Sequence, residues 1–392
     1  MNKTIIDKYW LILLLTSNIV AQYYPISHIG NMIFLVSQAV GFVYCLVNCG
    51  LLFTKEMSQR FSFIYVFAAI YILYQFSFGL IHINERTWTY LVSKIIIDFS
   101  IAICIYKNRD TVTSLIPMLF AFIIPVLILI GFAKYNVYIN ARCTMGFGNP
   151  NSLGSIGAIT FGICLFCDKI RSAYLKYFLA SICLFAVLMS GSRGALAIVL
   201  IALFFKFKLN LKNITVVILF IVGSVIVPPM LGYNPVGISR LVETTQQKDA
   251  FSAGRETERK ASILMIKENP ITGNGLYAQQ SEEAKKISLL GSHNAYIDFL
   301  KMLGIPLGGL LIIYIFKKIM QLLKSFWKYP NKFRMHLFII VSGAVAANFE
   351  AYIWGVNHYI TTLFFISMCF LQQEYYEISN LEESEISNIE DE

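Results

Sequence analysis

The chain has 392 residues, 57% of them hydrophobic and only 14% charged, with a mean hydropathy of +0.63. A soluble globular protein carries about 25% charged residues, so this composition excludes one and points to a chain that lives in lipid. The net charge of +9 then has to be read by position, because basic residues beside apolar spans bind anionic lipid head groups and do not signal nucleic acid. No nucleic-acid partner is expected.

Apolar stretches of the length a helix needs to cross a bilayer recur along most of the chain. In order they lie near 9–25, 30–52, 61–82, 87–106, 111–133, 150–167, 174–190, 194–206, 213–231, 293–316, 335–352 and 356–372. The expected fold is an all-α polytopic membrane protein of about twelve transmembrane helices. Its parts are helices 1–9 over residues 1–231, a large loop at 232–292, helices 10–12 over 293–372, and an acidic tail at 373–392. The stretch at 194–206 is the shortest. Residues 3–22 look superficially like a signal sequence, but there is no small-x-small cleavage site and further spans follow, so an uncleaved first helix is expected.

Charge orients the spans. With Lys3 and Lys8 on the cytoplasmic side, the even-numbered junctions hold Lys55, Arg60, Lys107, Arg109, Lys169, Arg171, Lys176, Lys206, Lys208 and Lys212, and the junction after span 10 is basic from Lys317 to Arg334. The short opposite junctions hold only Arg86, Lys134, Arg142 and Arg193. This positive-inside bias puts both termini in the cytoplasm and the loop at 232–292 outside. The tail after Leu371 has no Lys or Arg, and its Glu, Ser and Asn content reads as disordered.

Seven of the eight cysteines fall inside spans. Cys164 and Cys167 form a CxxC embedded in apolar sequence, where packing as small apolar groups is the expected role. Cys143 alone faces outward, beside Arg142. Lys94 and Asp98 are four apart in one span and are expected to pair. In the outer loop, Gly254-Arg255 opens a helical stretch through Glu268, with Ala261, Ile263, Leu264, Met265 and Ile266 as its apolar surface. Asn269-Pro270 ends it and Thr-Gly-Asn-Gly follows as a turn. Such a helix is expected to lie against the bundle or the membrane surface. No internal repeat is evident, which disfavours transporters built from duplicated halves.

The unusual polar residues gather at the outer junctions. Arg142 precedes Gly-Phe-Gly-Asn149-Pro150-Asn151, and two roles fit it: snorkelling to the interface, or holding an anion. Asn149-Pro150-Asn151 on its own reads as a turn and helix N-cap. Arg193 sits in a tight re-entry, Ser-Gly-Ser-Arg-Gly-Ala, where a cation beside hydrocarbon is costly and a functional role is the default. His293 opens the helix after the loop, with Asn294 next to it, and competes with His28, His82 and His358 near the same face. Glu350 is an acid within a span and a secondary candidate. Arginine stays charged and donates paired hydrogen bonds to phosphate oxygens, while histidine takes a proton near neutral pH. Histidine with arginines on one face therefore suits displacement of a phosphate-linked group by a hydroxyl. Metal-dependent sugar transfer usually wants clustered carboxylates. The outer loops contain no Asp-x-Asp, so neither a metal nor another cofactor is expected.

Four segments in order carry a resemblance: RCTMGFGNPN, SGSRGA, GRETERKASILMIKENPITGNG and SHNAYIDFLKMLGIPLGGLL. Over about residues 140–315 the chain resembles the O-antigen polymerase and ligase superfamily, bacterial membrane glycosyltransferases that handle undecaprenyl-diphosphate-linked glycans. Membership implies a C-type glycosyltransferase-like bundle, and an inverting, metal-independent reaction on the outer face of the cytoplasmic membrane. It implies that Arg142 and Arg193 contact the donor diphosphate and that Arg255 fills the outer-loop arginine position, with Arg259 one turn further along the same helix. His293 would act as base or orient the acceptor, supported by Asn294, with Glu350 or water as the other possible destination of the proton. Asn149, Asn151, Asn294, Arg259 and Glu350 complete the substrate-binding candidates. GFGNPN with GSRGA looks more like the polymerases of O-antigen, capsule or exopolysaccharide than like a ligase. The implied partners are lipid-linked donor and acceptor glycans, membrane lipids, a repeat-unit flippase and a chain-length regulator. A lipid-linked oligosaccharide flippase remains the reading from a different class, and would call for charges lining a path through the bundle.

Overall fold

The computed structural model describes residues 3–82, 85–135, 137–139, 142–207, 253–277, 280–288, 291–327 and 333–390. The expected span at 213–231 and loop residues 232–252 lie outside them. The described residues form an all-α membrane protein. Five helical segments are long and apolar enough to cross a bilayer: Tyr24–Val47, Arg86–Lys107, Thr111–Lys134, Ala173–Ser190 and Ala295–Phe326. Ser62–Ser77, Pro150–Phe166 and Arg334–Ala346 are shorter apolar helices.

In chain order the helices are α1 (Lys3–Gln22), α2 (Ser27–Val47), the short α3 (Cys49–Leu52) and α4 (Lys55–Arg60), α5 (Ser62–Ser77), α6 (Glu85–Lys107), α7 (Ile116–Lys134), α8 (Pro150–Phe166), α9 (Ala173–Ser190) and α10 (Arg193–Phe207). After the undescribed stretch come α11 (Ala253–Glu268), α12 (Glu282–Ile287), α13 (Ala295–Phe326), α14 (Arg334–Ala346) and α15 (Tyr359–Glu390). The one sheet among the described residues is a two-stranded ribbon, β1 (Tyr138–Ile139) against β2 (Arg142–Cys143).

Burial sorts the helices by environment. On α2, Met32, Leu35, Val36, Val43 and Val47 are all exposed. Apolar side chains left outside a packed core in a chain of this composition face lipid. Apart from Asn151, every residue of α8 is buried, so α8 is the central helix. Small residues let its neighbours approach: a Cβ on Gly154 would lie 2.5 Å from the Ser190 hydroxyl and 2.8 Å from Ser192. This close approach brings the α9–α10 junction onto the start of α8.

Two expectations need correction. The acidic tail is helical through Glu390, and the expected boundary at 373 falls inside α15. The reason is charge pairing: Arg109 lies 3.0 Å from Glu374 and 2.5 Å from Glu377, and Arg60 reaches Glu377 at 3.1 Å. Cys143 is fully buried. The span at 293–316 runs on to Phe326 and is broken: Gly304 has φ 75° and ψ 168°, so Ala295–Leu303 and Ile305–Phe326 are separate helical pieces.

The break is held from the loop that precedes α13. That backbone region is open essentially to glycine alone, and a Cβ on Gly304 would lie 2.2 Å from the Ile271 carbonyl oxygen. The turn after α11 docks into the gap. Ile305 N–H donates to the Pro270 carbonyl at 2.7 Å, Asn274 N–H to Lys301 at 2.9 Å, and Gly275 N–H to Met302 at 3.2 Å. Backbone groups freed by the break are thus paired with protein, as they must be at membrane depth. The Asn274 side chain adds bonds to the Met265 and Lys301 carbonyls, both at 3.0 Å. The helix foreseen at 254–268 therefore forms, and it lies against the bundle. Lys94 and Asp98 pair at 2.7 Å as expected, both buried.

Candidate functional site

Helix ends meet beside α8, and four of the candidate residues join there in one hydrogen-bonded chain. Arg142 projects from β2. Its Nε donates to the Ser190 carbonyl at 2.7 Å, at the last residue of α9, where the helix dipole favours a cation. Its Nη2 donates to Asn151 Oδ1 at 2.5 Å. Asn151 Nδ2 donates to Glu350 Oε1 at 2.8 Å, and the other Glu350 oxygen lies 2.9 Å from His293 Nδ1. Residues separated by as many as 199 positions, Asn151 and Glu350, are in direct contact.

Each member is placed by local structure. Asn149 caps α8 by accepting from Ser152 N–H at 2.8 Å, and Pro150 occupies the first turn, so Asn151 starts the helix with its side chain turned to the chain of contacts. Asn294 caps α13, accepting from Tyr296 and Ile297 N–H at 3.0 and 3.1 Å. Its Nδ2 also donates to the Asn348 carbonyl at 3.2 Å, and Ala295 N–H donates to Ala347 at 2.8 Å. Those bonds tie the start of α13 to the segment carrying Glu350. Between Ser292 and the cap, His293 sits at φ 47°. A non-glycine residue in this left-handed region is uncommon and costs on the order of 1–2 kcal/mol. The surrounding hydrogen bonds hold it there, which aims the ring at Glu350.

The geometry has a chemical consequence. A neutral histidine that donates Nδ1–H to a carboxylate has Nε2 as its basic nitrogen, the one that accepts a proton. The carboxylate would then stabilise the imidazolium as it forms. The His293 side chain is 41% exposed and that of Glu350 19%, so the ring is reachable while its orienting partner is partly shielded. Arg142, at the far end of the chain, is half-buried with its charge fixed.

The other candidates fall around this core. Arg193 begins α10, half-buried, two residues after the left-handed Gly191 that ends α9. The next residue, Gly194, approaches Phe349 closely enough that a Cβ would lie 3.2 Å from its ring, so the Arg193 turn abuts the segment bearing Glu350. Arg255 lies in the first turn of α11. Arg259 is exposed on that helix and is not a member of the hydrogen-bonded chain. Asn149 and Asn294 spend their side-chain oxygens on helix caps. His358 is packed between the rings of Tyr352 and Tyr359 and accepts from Ile360 N–H, which separates it from His293.

Next to His293 opens a cavity of about 310 Å³ whose polar wall was not anticipated: Asp298 and Lys301, with Tyr277 and Trp354 as its aromatic faces. The signal for the first two was present in the sequence, since Asp298-x-x-Lys301 puts both charges one turn apart just after His293. Tyr277 and Trp354 carry no such local signal.

Residues 178–314 match a family model described as O-antigen ligase. Over that stretch the chain is similar to this family. Members of this family are glycosyltransferase-like enzymes that use lipid-linked glycans, and the apolar helices agree with a bacterial membrane protein. No curated protein matches the sequence. The matched segment contains Arg193, Arg255 and His293. Arg142, Asn151 and Glu350 lie outside it and are brought to His293 only by the fold.

Proposed function

We propose that this protein is a polysaccharide polymerase that joins undecaprenyl-diphosphate-linked repeat units into O-antigen, capsule or exopolysaccharide. The observation that carries the reading is the chain His293–Glu350–Asn151–Arg142, in which a proton acceptor and a fixed guanidinium belong to one network. In the reaction the acceptor hydroxyl attacks the anomeric carbon of the donor glycan. His293 takes the hydroxyl proton on Nε2, and Glu350 stabilises the resulting cation. The bond from the anomeric carbon to the diphosphate oxygen breaks with its electron pair going to that oxygen. Arg142 and Arg193 neutralise the leaving diphosphate, and attack opposite to it inverts the anomeric centre. Charge neutralisation by arginine fits a metal-independent mechanism.

The reading places the reaction at the outer face of the cytoplasmic membrane, with both termini inside and about twelve crossings, and gives the protein a repeat-unit flippase and a chain-length regulator as partners. Transfer of a finished glycan to a different acceptor is the second reading, favoured by the family description O-antigen ligase.

The test is the glycolipid profile of a strain lacking the protein, complemented with wild type or His293→Ala. A polymerase predicts single repeat units on the final acceptor and no chains. Long chains stranded on undecaprenyl diphosphate would establish the ligase, and repeat units trapped on the cytoplasmic face would overturn both in favour of a flippase. Near-normal polymer from His293→Ala would remove the base assignment.

A further inference from the structure

The buried ion pair beside His293 is hard to explain by stability. Asp298 is 3% exposed and Lys301 8%, and removing two charges from water costs as much as their attraction returns, so apolar residues would serve a core equally well. The pair instead forms the polar wall of the 310 Å³ cavity that His293 also lines. Lys301 Nζ lies 2.8 Å from Asp298 Oδ1. An ammonium has three donors, so this contact leaves two for a ligand. Asp298 is fixed from two further directions, by the Ser292 hydroxyl at 3.0 Å and the Trp354 indole N–H at 3.2 Å.

The apolar walls are as firmly held. Trp354 commits its one donor to Asp298, and its carbonyl accepts from the Tyr90 hydroxyl at 2.8 Å. Tyr90 packs edge-on against Trp354, with centroids 6.0 Å apart, and at a tilt of 50° against Tyr277 at 6.4 Å. Two aromatic rings thus flank a carboxylate and an ammonium. A sugar offers the complement: C–H faces that pack on the electron-rich ring face, and neighbouring hydroxyls that both donate and accept. The volume is at the lower end of the range of about 300–1,000 Å³ for small-molecule sites, which suits a single saccharide unit. Arg142 does not line this cavity and is separated from His293 by Asn151 and Glu350, so the cavity and the diphosphate-binding end lie on different sides of the base.

We propose that this cavity is the subsite for the terminal sugar of the acceptor glycan, with Asp298 and Lys301 reading its hydroxyls and Trp354 and Tyr277 stacking on its face. The assignment rests on the transfer reading for its label of acceptor, but not for its chemistry. Occupied, the cavity delivers one hydroxyl to His293 and sets which sugar is extended.

The probe is the oligosaccharide obtained by acid hydrolysis of the host's own polysaccharide, titrated into the full chain in detergent while tryptophan emission is followed. Wild type should give a saturable change that is absent in Trp354→Phe. The double variant Asp298→Asn/Lys301→Gln, which keeps volume and removes both charges, should bind at least about tenfold more weakly, the equivalent of one charge-assisted hydrogen bond. In turnover assays with lipid-linked substrates the same variant should raise the acceptor KM by about tenfold and leave the donor KM unchanged; a purely structural role would not separate the two. Tyr277→Leu, on a loop outside the ion pair, should show the same split and decides the matter should the double variant fold poorly. No titration in wild type, or acceptor KM and affinity unchanged in both Tyr277→Leu and a stably folded double variant, overturns the proposal. Oligosaccharide binding that survives in a protein with no transferase activity would keep the sugar site and refute the transfer reading.

Discussion

Replacing Glu350 by Gln tests the central contact with little change of shape. Gln keeps an oxygen to accept from Asn151, but its amide N–H then faces His293 Nδ1 and makes that nitrogen an acceptor, so the substitution removes the charge and also moves the ring proton to Nε2. The structure sets the size of the effect. With the closest atoms 2.9 Å apart, the charge centres are about 4 Å apart, and at an effective dielectric constant of about 20 the attraction between carboxylate and imidazolium is about 4 kcal/mol. The His293 side chain is 41% exposed, and solvent screening reduces this to about 2–3 kcal/mol. That attraction exists only once the histidine has taken the acceptor proton, so it lowers the barrier without tightening substrate binding. Glu350→Gln should therefore reduce kcat by at least roughly 30- to 140-fold from the lost charge alone, with both KM values near wild type, at about 1.4 kcal/mol per tenfold. The assay is chain extension by purified protein in vesicles with lipid-linked substrate, read as initial rate against donor and acceptor concentration. A kcat within about threefold of wild type, in a variant whose melting temperature is unchanged, would refute the dyad.

Arg142→Lys cannot reach the Ser190 carbonyl and Asn151 at once, since an ammonium has no planar fork, and it should lower kcat/KM for the donor by at least about tenfold in the same assay. Gly304→Ala places a Cβ against the Ile271 carbonyl in a backbone region that costs on the order of 1–3 kcal/mol for other residues. The detergent-solubilised protein should melt lower, while an alanine at nearby Gly309, where a Cβ meets open space, should not. Lys94→Met leaves Asp98 buried and unpaired and should destabilise by about 3–5 kcal/mol. Lys94→Met with Asp98→Leu should recover most of that loss in thermal unfolding, and a double variant as unstable as the single one would count against a merely structural pair.

Much of this architecture was legible because hydrophobic length and turn chemistry are local properties. The start of α8 follows from Asn149-Pro150, the end of α11 from Asn269-Pro270, and the Lys94–Asp98 pair from spacing alone. Positions where the sequence misleads share a physical cause, namely partners far away in the chain. Glu374 and Glu377 read as part of a solvated acidic tail until Arg60 and Arg109 are placed beside them. The break at Gly304 is invisible in an apolar run, because what opens it is a turn thirty or so residues earlier. At the site, His293 and Arg142 could be nominated by residue type, and Glu350 as an acid within a span. Their connection through Asn151 could not, since nothing in a turn sequence says that its second asparagine will bridge an arginine and a glutamate. Trp354 and Tyr277 were missed for the reverse reason: aromatic residues are so common in this chain, which has 22 Tyr and 31 Phe, that composition hides the ones that line a cavity.

The turn docked at Gly304 ties the segment before α13 mechanically to His293. The first piece of α13 is nine residues long, from Ala295 to Leu303, and carries the cap for His293 at one end and the docked turn at the other. Asp298 and Lys301 lie between. Asn274 grips the Lys301 carbonyl through both its backbone and side-chain N–H groups, at 2.9 and 3.0 Å, and the Met265 carbonyl near the end of α11 with the same amide. A short helix fixed at both ends positions whatever it carries, and here that is His293 at its entrance and the ion pair on its flank. Asn274 is one of the contacts through which a displacement of α11 reaches them. Asn274→Ala removes the side-chain bonds and leaves the backbone contact, at a cost of about 1–3 kcal/mol. If the coupling is real, this variant lowers kcat as well as stability, although Asn274 lines neither the cavity nor the Arg142 network. Full turnover in a destabilised Asn274→Ala protein would show that the first piece of α13 keeps its place without the loop.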